Sequence, residues 1–402
     1  MMNYNLHRKQ VKKALRKELF PDNFTVSRYK FSPYMACSHG CAYCDGRAEK
    51  YYVEGDFERD IVVRDNIDQL LLKELSNIRE RGPVTISSGV TDAYQPVEEE
   101  LGITAKCLDV LSWFDLPVNL LTKSALIERD IPVLEKIAGR SGVSVFISLV
   151  HLDDRIREIF EPEAATVEQR LSLIEKLKKA GCTVGVLAMP FLPYLGDSEE
   201  HLKTLFDEVI NRGADFIMPG WLTLRPGRQK DFYLTRLKEH YPGLVDPYKE
   251  LFSNNLQSGN PLKNYRDEIA KRMDRITGEM AVPTMVPHQV YRNTLHNSDE
   301  LFLLLIQMSD VYSRKGIDVS SLRKSIDRYT GFLSDEKKNL GKDIAFNTET
   351  MNQLVPDLCR SGKIKSILGN DKLSAFVTEI FLEEKIFDST VLKLKKAPAG
   401  QR

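Results

Sequence analysis

The stretch RYKFSPYMACSHGCAYC, residues 28–44, runs from a β-rich segment straight into three thiols at Cys37, Cys41 and Cys44. The chain has 402 residues and six cysteines, so half of its thiols fall within eight positions. The spacing Cys-x3-Cys-x2-Cys lets one loop, placed directly after a strand, wrap three sulfurs around a compact centre.

Two metal chemistries suit such a loop. A structural zinc site needs a fourth protein ligand. Cys107, Cys182 and Cys359 lie far away and singly, which leaves only His39, inside the loop, to complete it. A [4Fe–4S] cubane held by three thiolates leaves one iron without a protein donor, an open position for chemistry.

Working outward, residues 28–236 alternate β-rich runs with amphipathic helical patterns, which implies parallel strands. The strand candidates are 29–35, 84–88, 118–122, 143–150, 183–191 and 215–219. Between them the apolar spacing is helical, as in Ile67, Leu71, Leu75 and Ile78. Gly82, Gly142, Gly181 and Gly213 stand where helices would end. Six βα units suggest an α/β fold of the partial (β/α)6 barrel type, although a doubly wound open sheet has the same periodicity.

The flanks differ in character. Residues 1–27 read as a basic helical segment, with Arg8, Lys9, Lys12, Lys13, Arg16 and Lys17 on one face and Val11, Leu15 and Leu19 on the other. Residues 237–297 are mixed and proline-rich, and 298–402 read as an α-helical C-terminal domain.

Composition bounds the setting. Lysines and arginines number 57 and acids also 57, so no global field attracts nucleic acid or a membrane surface. No apolar run spans a bilayer, and the first twenty residues lack the apolar core of a signal peptide. The expectation is a cytoplasmic protein, where clustered thiols hold a metal or do chemistry rather than form disulfides.

Cys-x3-Cys-x-aromatic-Cys after the first strand of a six-unit barrel resembles the radical SAM superfamily; Tyr43 is the aromatic. The stretches SGVTDAYQPVE (88–98), LLTKS (120–124), VFISL (145–149), FEPEAATVEQRLSLIEKLKKAG (160–181) and MPFLP (189–193) further resemble its spore photoproduct lyase-related branch, over residues 28–225. The resemblance implies an enzyme with a [4Fe–4S] cluster on Cys37, Cys41 and Cys44. It would cleave S-adenosylmethionine (SAM) reductively to a 5′-deoxyadenosyl radical for hydrogen abstraction, with a flavodoxin- or ferredoxin-like electron donor. By the same resemblance Tyr43 lies by the adenine, Lys123 approaches the SAM carboxylate, Thr91 and Asp92 stand near the methionyl end, and Ser148 matches a similar position on the fourth strand; Ser88 joins them as a SAM-contact candidate because its strand ends at the same C-terminal mouth of the barrel.

The sequence departs from the lyase at two positions. Aligned on Thr91 and Asp92, the hydrogen-returning cysteine falls on Gly89, and the relay tyrosine falls on Asp45. Tyr34, Tyr94 and Cys107 are substitutes by residue type. Cys107, Cys182 and Cys359 otherwise read as core positions, and Arg170 reads as an outward surface arginine of an amphipathic helix. His151, Trp221, Arg225 and Arg228 are substrate-contact candidates by position after strands. The contrasting class is a zinc-stabilised, non-catalytic nucleic-acid adaptor built from the cysteine loop, the basic N-terminal face and the α domain.

Overall fold

A computed structural model describes residues 4–51, 53–87, 89–292, 294–340 and 344–397, with backbone alone at 344–347. Its strands are β1 (Asn5–Lys9), β2 (Arg16–Lys17), β3 (Tyr29–Phe31), β4 (Tyr34–Met35), β5 (Asp60–Arg64), β6 (Val84–Ile86), β7 (Val118–Thr122), β8 (Val143–Ser148), β9 (Thr183–Phe191), β10 (Phe216–Trp221), β11 (Lys385–Asp388) and β12 (Lys393–Lys396).

The central sheet has the order β10-β9-β8-β7-β6-β3-β2. The ladders β7–β8, β8–β9 and β9–β10 are parallel, with Val118 opposite Val143 and Val145 opposite Val184. Every residue of β7 and β8 is buried. That is why both strands read as continuous apolar runs rather than alternating ones. Helices Ile103–Leu111, Ile131–Ala138, Val167–Lys179 and Glu199–Asn211 alternate with the strands and bury one stripe each. The result is a mixed α/β architecture with a helical C-terminal region, consistent with a partial barrel.

Several expectations change. The first candidate strand is two, β3 and β4, and β4 leaves the central sheet for a three-stranded one of order β1-β5-β4. The basic N-terminal segment contains no helix among its described residues: Asn5–Lys9 is a fully exposed strand paired in parallel with Asp60–Arg64. Charge spacing suggested a helix, but the pairing with β5 supplies the backbone partners that an isolated short helix would lack. The described C-terminal helices run from Asn297–Arg314 to Asp371–Leu382 and are followed by the antiparallel hairpin β11–β12.

Contacts divide the chain into two units. One comprises residues 1–16, 30–73 and 85–284, and the other 17–29, 74–84 and 285–402. The second unit therefore begins before 298 and takes in two early segments. Those segments bring charge to its core. Arg28 is 1% exposed and pairs with Glu80, while Lys337 Nζ lies 2.8 Å from Asp299 Oδ1. Burial works to raise the Glu80 carboxyl, but Arg28 and Lys337 outweigh it and pull it down to about 2. No helix among the described residues is long and apolar enough to cross a membrane.

One close approach fixes the sheet register. A Cβ on Gly185, in β9, would sit 2.2 Å from the ring of buried Phe216 in β10. Gly185→Ala is therefore expected to destabilise the protein by about 1–3 kcal/mol through overpacking. A chemical-denaturation midpoint indistinguishable from wild type would contradict this packing.

Candidate functional site

The cysteine loop follows β4 directly and is pinned from every side. Cys37 N–H donates to Phe57 O at 3.2 Å, Ala42 N–H to Phe160 O at 2.8 Å, and Ser38 N–H to Gln95 Oε1 at 2.8 Å. Gly40 takes φ +68° beside Pro162 and Glu58, a turn that favours glycine. Cys37 and Cys41 are buried and Cys44 is half-buried, all three as free thiols. Burial pushes the Cys41 thiol up to about 12 and raises Cys37 and Cys44 as well. Buried thiols of this kind are inert until a metal displaces their protons.

His39 is committed elsewhere. Its Nδ1 lies 3.0 Å from Glu163 O, and its Nε2, which makes no well-aligned hydrogen bond, faces Asp92 Oδ2 at 3.2 Å. Among the described residues no three His, Cys, Asp or Glu side chains are arranged to hold a single metal ion. A cubane asks each thiolate to reach a different iron, so convergence on one point is a demand of zinc and not of a cluster. Three soft sulfurs on one loop, with the fourth candidate turned away, fit the latter donor set.

Lys123 follows β7 and is half-buried. Its Nζ stands 5.8 Å from the centre of the Tyr43 ring. Burial opposes its charge, but Cys41, Glu161 and Asp92 outweigh that and raise its pKa. Tyr43 is buried, and its hydroxyl donates to Glu161, whose Oε2 forms an ion pair with Arg170 Nη2 at 2.8 Å. Arg170 Nη1 in turn donates to Ser148 O at 2.9 Å, at the end of β8. The surface reading of Arg170 is thus corrected: the residue is 1% exposed. Its helix turns this position toward Leu171, Leu173 and Ile174, and Glu161 supplies the partner that a buried guanidinium requires.

Thr91 and Asp92 sit beside the loop with their side chains already engaged. Thr91 Oγ1 donates to Ala36 O at 2.6 Å. Asp92 accepts from Tyr94 N–H at 2.8 Å, Thr122 Oγ1 at 2.9 Å and Lys123 N–H at 2.9 Å. Burial works to raise its carboxyl, yet His39 and these donors hold it below its ordinary value. Ser88 lies outside the described residues. Gly89 is exposed, and a Cβ there would meet nothing within 4 Å.

Asp45 is a structural anchor. It pairs with Arg225 and accepts from Thr223 Oγ1 at 3.1 Å and Gln229 Nε2 at 3.0 Å. Of the positions expected to meet substrate, Trp221 donates to Asn260 Oδ1 at 3.0 Å, and Arg228 N–H donates to Glu49 at 2.9 Å. His151 accepts from Asp153 N–H at 2.9 Å while its other nitrogen lies 3.0 Å from Leu195 O. Tyr34, Tyr94 and Cys107 are buried in the core.

The sequence model of the Radical SAM superfamily matches residues 31–206. An uncharacterized protein of Mycobacterium tuberculosis is 32% identical over 229 residues, which are 56% of this chain and 67% of that protein. This chain belongs to the radical SAM superfamily. An uncharacterized protein of Acidianus two-tailed virus is 25% identical over 195 residues, covering 45% of this chain and 62% of that one. Among solved structures the chain is similar to a spore photoproduct lyase variant at TM-score 0.49 and 16% identity, over 68% of this chain and 79% of that chain.

The cysteine loop has further supports, one of them from far along the chain. Gln229 is fully buried and donates to Tyr43 O at 3.0 Å as well as to Asp45. Arg47 donates through Nε to Cys41 O at 2.8 Å. Arg47 carries a local signal, an arginine three residues past the last cysteine. Gln229 carries none, because its partner lies 186 residues away.

Proposed function

We propose that this chain is a radical SAM enzyme whose Cys37, Cys41 and Cys44 hold a [4Fe–4S] cluster and whose product radical forms on a substrate of its own. The observation that carries the reading is the donor set: three free thiols on one loop, with both nitrogens of His39 directed elsewhere. When bound, the cluster offers an open iron for the amino and carboxyl groups of SAM and the electron that cleaves its sulfonium to start hydrogen abstraction. The strand arrangement supports a (β/α)6 barrel around that loop. A flavodoxin- or ferredoxin-like protein is the electron donor this chemistry calls for.

The chain's own residues divide the remaining work. Lys123 presents an ammonium 5.8 Å from the centre of the Tyr43 ring, kept charged by Cys41, Glu161 and Asp92, and a carboxylate is its natural complement. Tyr43, held by Glu161, gives the adenine a fixed aromatic face. Asp92 fixes the backbone of Lys123, Thr91 ties its loop to Ala36, and Ser148 caps β8 where Arg170 anchors it. Ser88 belongs to the same mouth by sequence.

The return of hydrogen cannot follow the lyase route on these residues. Gly89 has no thiol, and Asp45 is tied down by Arg225, Thr223 and Gln229. The substrate therefore differs, or its radical is quenched by another group.

Anaerobically reconstituted protein should be brown, contain iron and sulfide, and release 5′-deoxyadenosine from SAM when reduced with dithionite. A colourless protein with stoichiometric zinc and no such release would instead favour the adaptor. Lys123→Ala should weaken SAM binding by about 10–100-fold, the loss of one charge-assisted contact of ~1.5–3 kcal/mol, measured by equilibrium dialysis on the reconstituted protein. Unchanged affinity would remove Lys123 from the site.

A further inference from the structure

The residues that clamp the cysteine loop include one charge pair, and its placement has an electrical consequence. Arg47 closes the short turn Asp45–Arg47 directly after the third cysteine and is 7% exposed. Its Nε donates to Cys41 O at 2.8 Å and its Nη2 to Gly40 O at 3.0 Å, so one guanidinium holds two consecutive carbonyls of the loop. Its Nη2 also donates to Glu58. The guanidinium carbon lies 3.7 Å from the centre of the Phe232 ring and 5.3 Å from that of Phe57. These rings keep water off a cation that a surface arginine would share with solvent.

Glu58 is the less buried partner. Its side chain is 21% exposed against 7% for Arg47. Water screens the carboxylate more than the guanidinium, so of this pair the guanidinium exerts the less screened field on the loop. Reduction adds a negative charge to whatever the three thiolates hold, and a fixed positive field favours that state. A Cβ on Gly40 would stand 3.3 Å from Glu58 Oε2, so the carboxylate lies next to the loop.

We propose that Arg47 and Glu58 together set the electron affinity of the cluster, with Arg47 as a positioning residue that acts through the Gly40 and Cys41 carbonyls. The inference rests on the reading of this loop as a cluster site. It goes beyond that reading by assigning to two named side chains opposite effects on one measurable quantity.

The test is the midpoint potential of the reconstituted cluster in full-length wild type, Arg47→Gln, Arg47→Lys and Glu58→Gln, followed by electron paramagnetic resonance during redox titration. Arg47→Gln should shift the reduction equilibrium about tenfold toward the oxidised state, ~59 mV downward for a one-electron couple. Glu58→Gln should shift it upward, and Arg47→Lys, which keeps the charge, should stay nearer wild type than Arg47→Gln. A purely structural clamp would alter iron retention and thermal melting without this pattern of signs.

If Arg47→Gln fails to fold or to load iron, Glu58→Gln decides: an upward shift supports the proposal, and an unchanged or lower potential overturns it. A wild-type protein that takes up no iron and sulfide overturns the functional reading and this inference with it. A normal wild-type cluster whose potential ignores both charges overturns this inference alone.

Discussion

In Cys41→Ala, reconstituted iron and sulfide are expected to fall to background and 5′-deoxyadenosine release to drop by more than about 100-fold, beyond the 10–100-fold typical of outer-shell substitutions. The expectation follows from the count of donors. Only three thiols lie on the loop, and His39 Nδ1 is bonded to Glu163 O while its Nε2 faces Asp92, so among the described residues no fourth thiol stands on the loop to replace a lost sulfur. Cys182→Ala provides the control, because that thiol is buried at the start of β9 and belongs to the core. Equal losses in both variants would indicate general damage, and undiminished iron in Cys41→Ala would remove this cysteine from the centre.

The second large effect concerns stability. Arg170→Ala should destabilise the folded protein by about 3–5 kcal/mol, the cost of leaving a buried charge without its partner. Glu161 would lose the guanidinium at 2.8 Å, and Ser148 O would lose its donor. Replacing both partners, as in Glu161→Gln/Arg170→Met, should cost less than the sum of the two single changes, because no orphaned charge remains. A denaturant-melt double-mutant cycle measures the difference, and additive losses would contradict the coupling.

The same pair fixes a pH dependence. Burial raises the Glu161 carboxyl, but Arg170, Lys123 and Tyr43 outweigh it and hold the folded-state pKa below the ordinary 4.5. A depressed carboxylate contributes stability that is fully present above its unfolded pKa and is lost as pH falls through the folded one. Acid unfolding should therefore be steeper in wild type than in the double variant.

Much of this was readable from residues alone, and the failures share one cause. β7 and β9 span the residues anticipated for them, since each is an apolar run closed by turn residues. The place of the cysteine loop after a strand was legible because that signal is local. Arg170 was misread because its partner Glu161 lies across a proline-containing turn, and helical periodicity does not report a neighbour outside the helix. The N-terminal strand was misread because its pairing partner, β5, begins 55 residues after it, and charge spacing carries no information about a parallel ladder. The second unit draws in residues 17–29 and 74–84, a joining of distant segments that no composition boundary announces.

The arrangement of Gln229 bears on how the protein is made. The loop's thiols leave the ribosome early, yet the glutamine that fastens Tyr43 and Asp45 is translated 186 residues after Tyr43. At 5–20 residues per second that interval is about 10–40 s, during which the nascent loop lacks its last fastening. Delivery of the proposed cluster is thus best timed after synthesis of the α/β region, and expression under low oxygen with slow induction should yield a larger fraction of loadable polypeptide than rapid aerobic production.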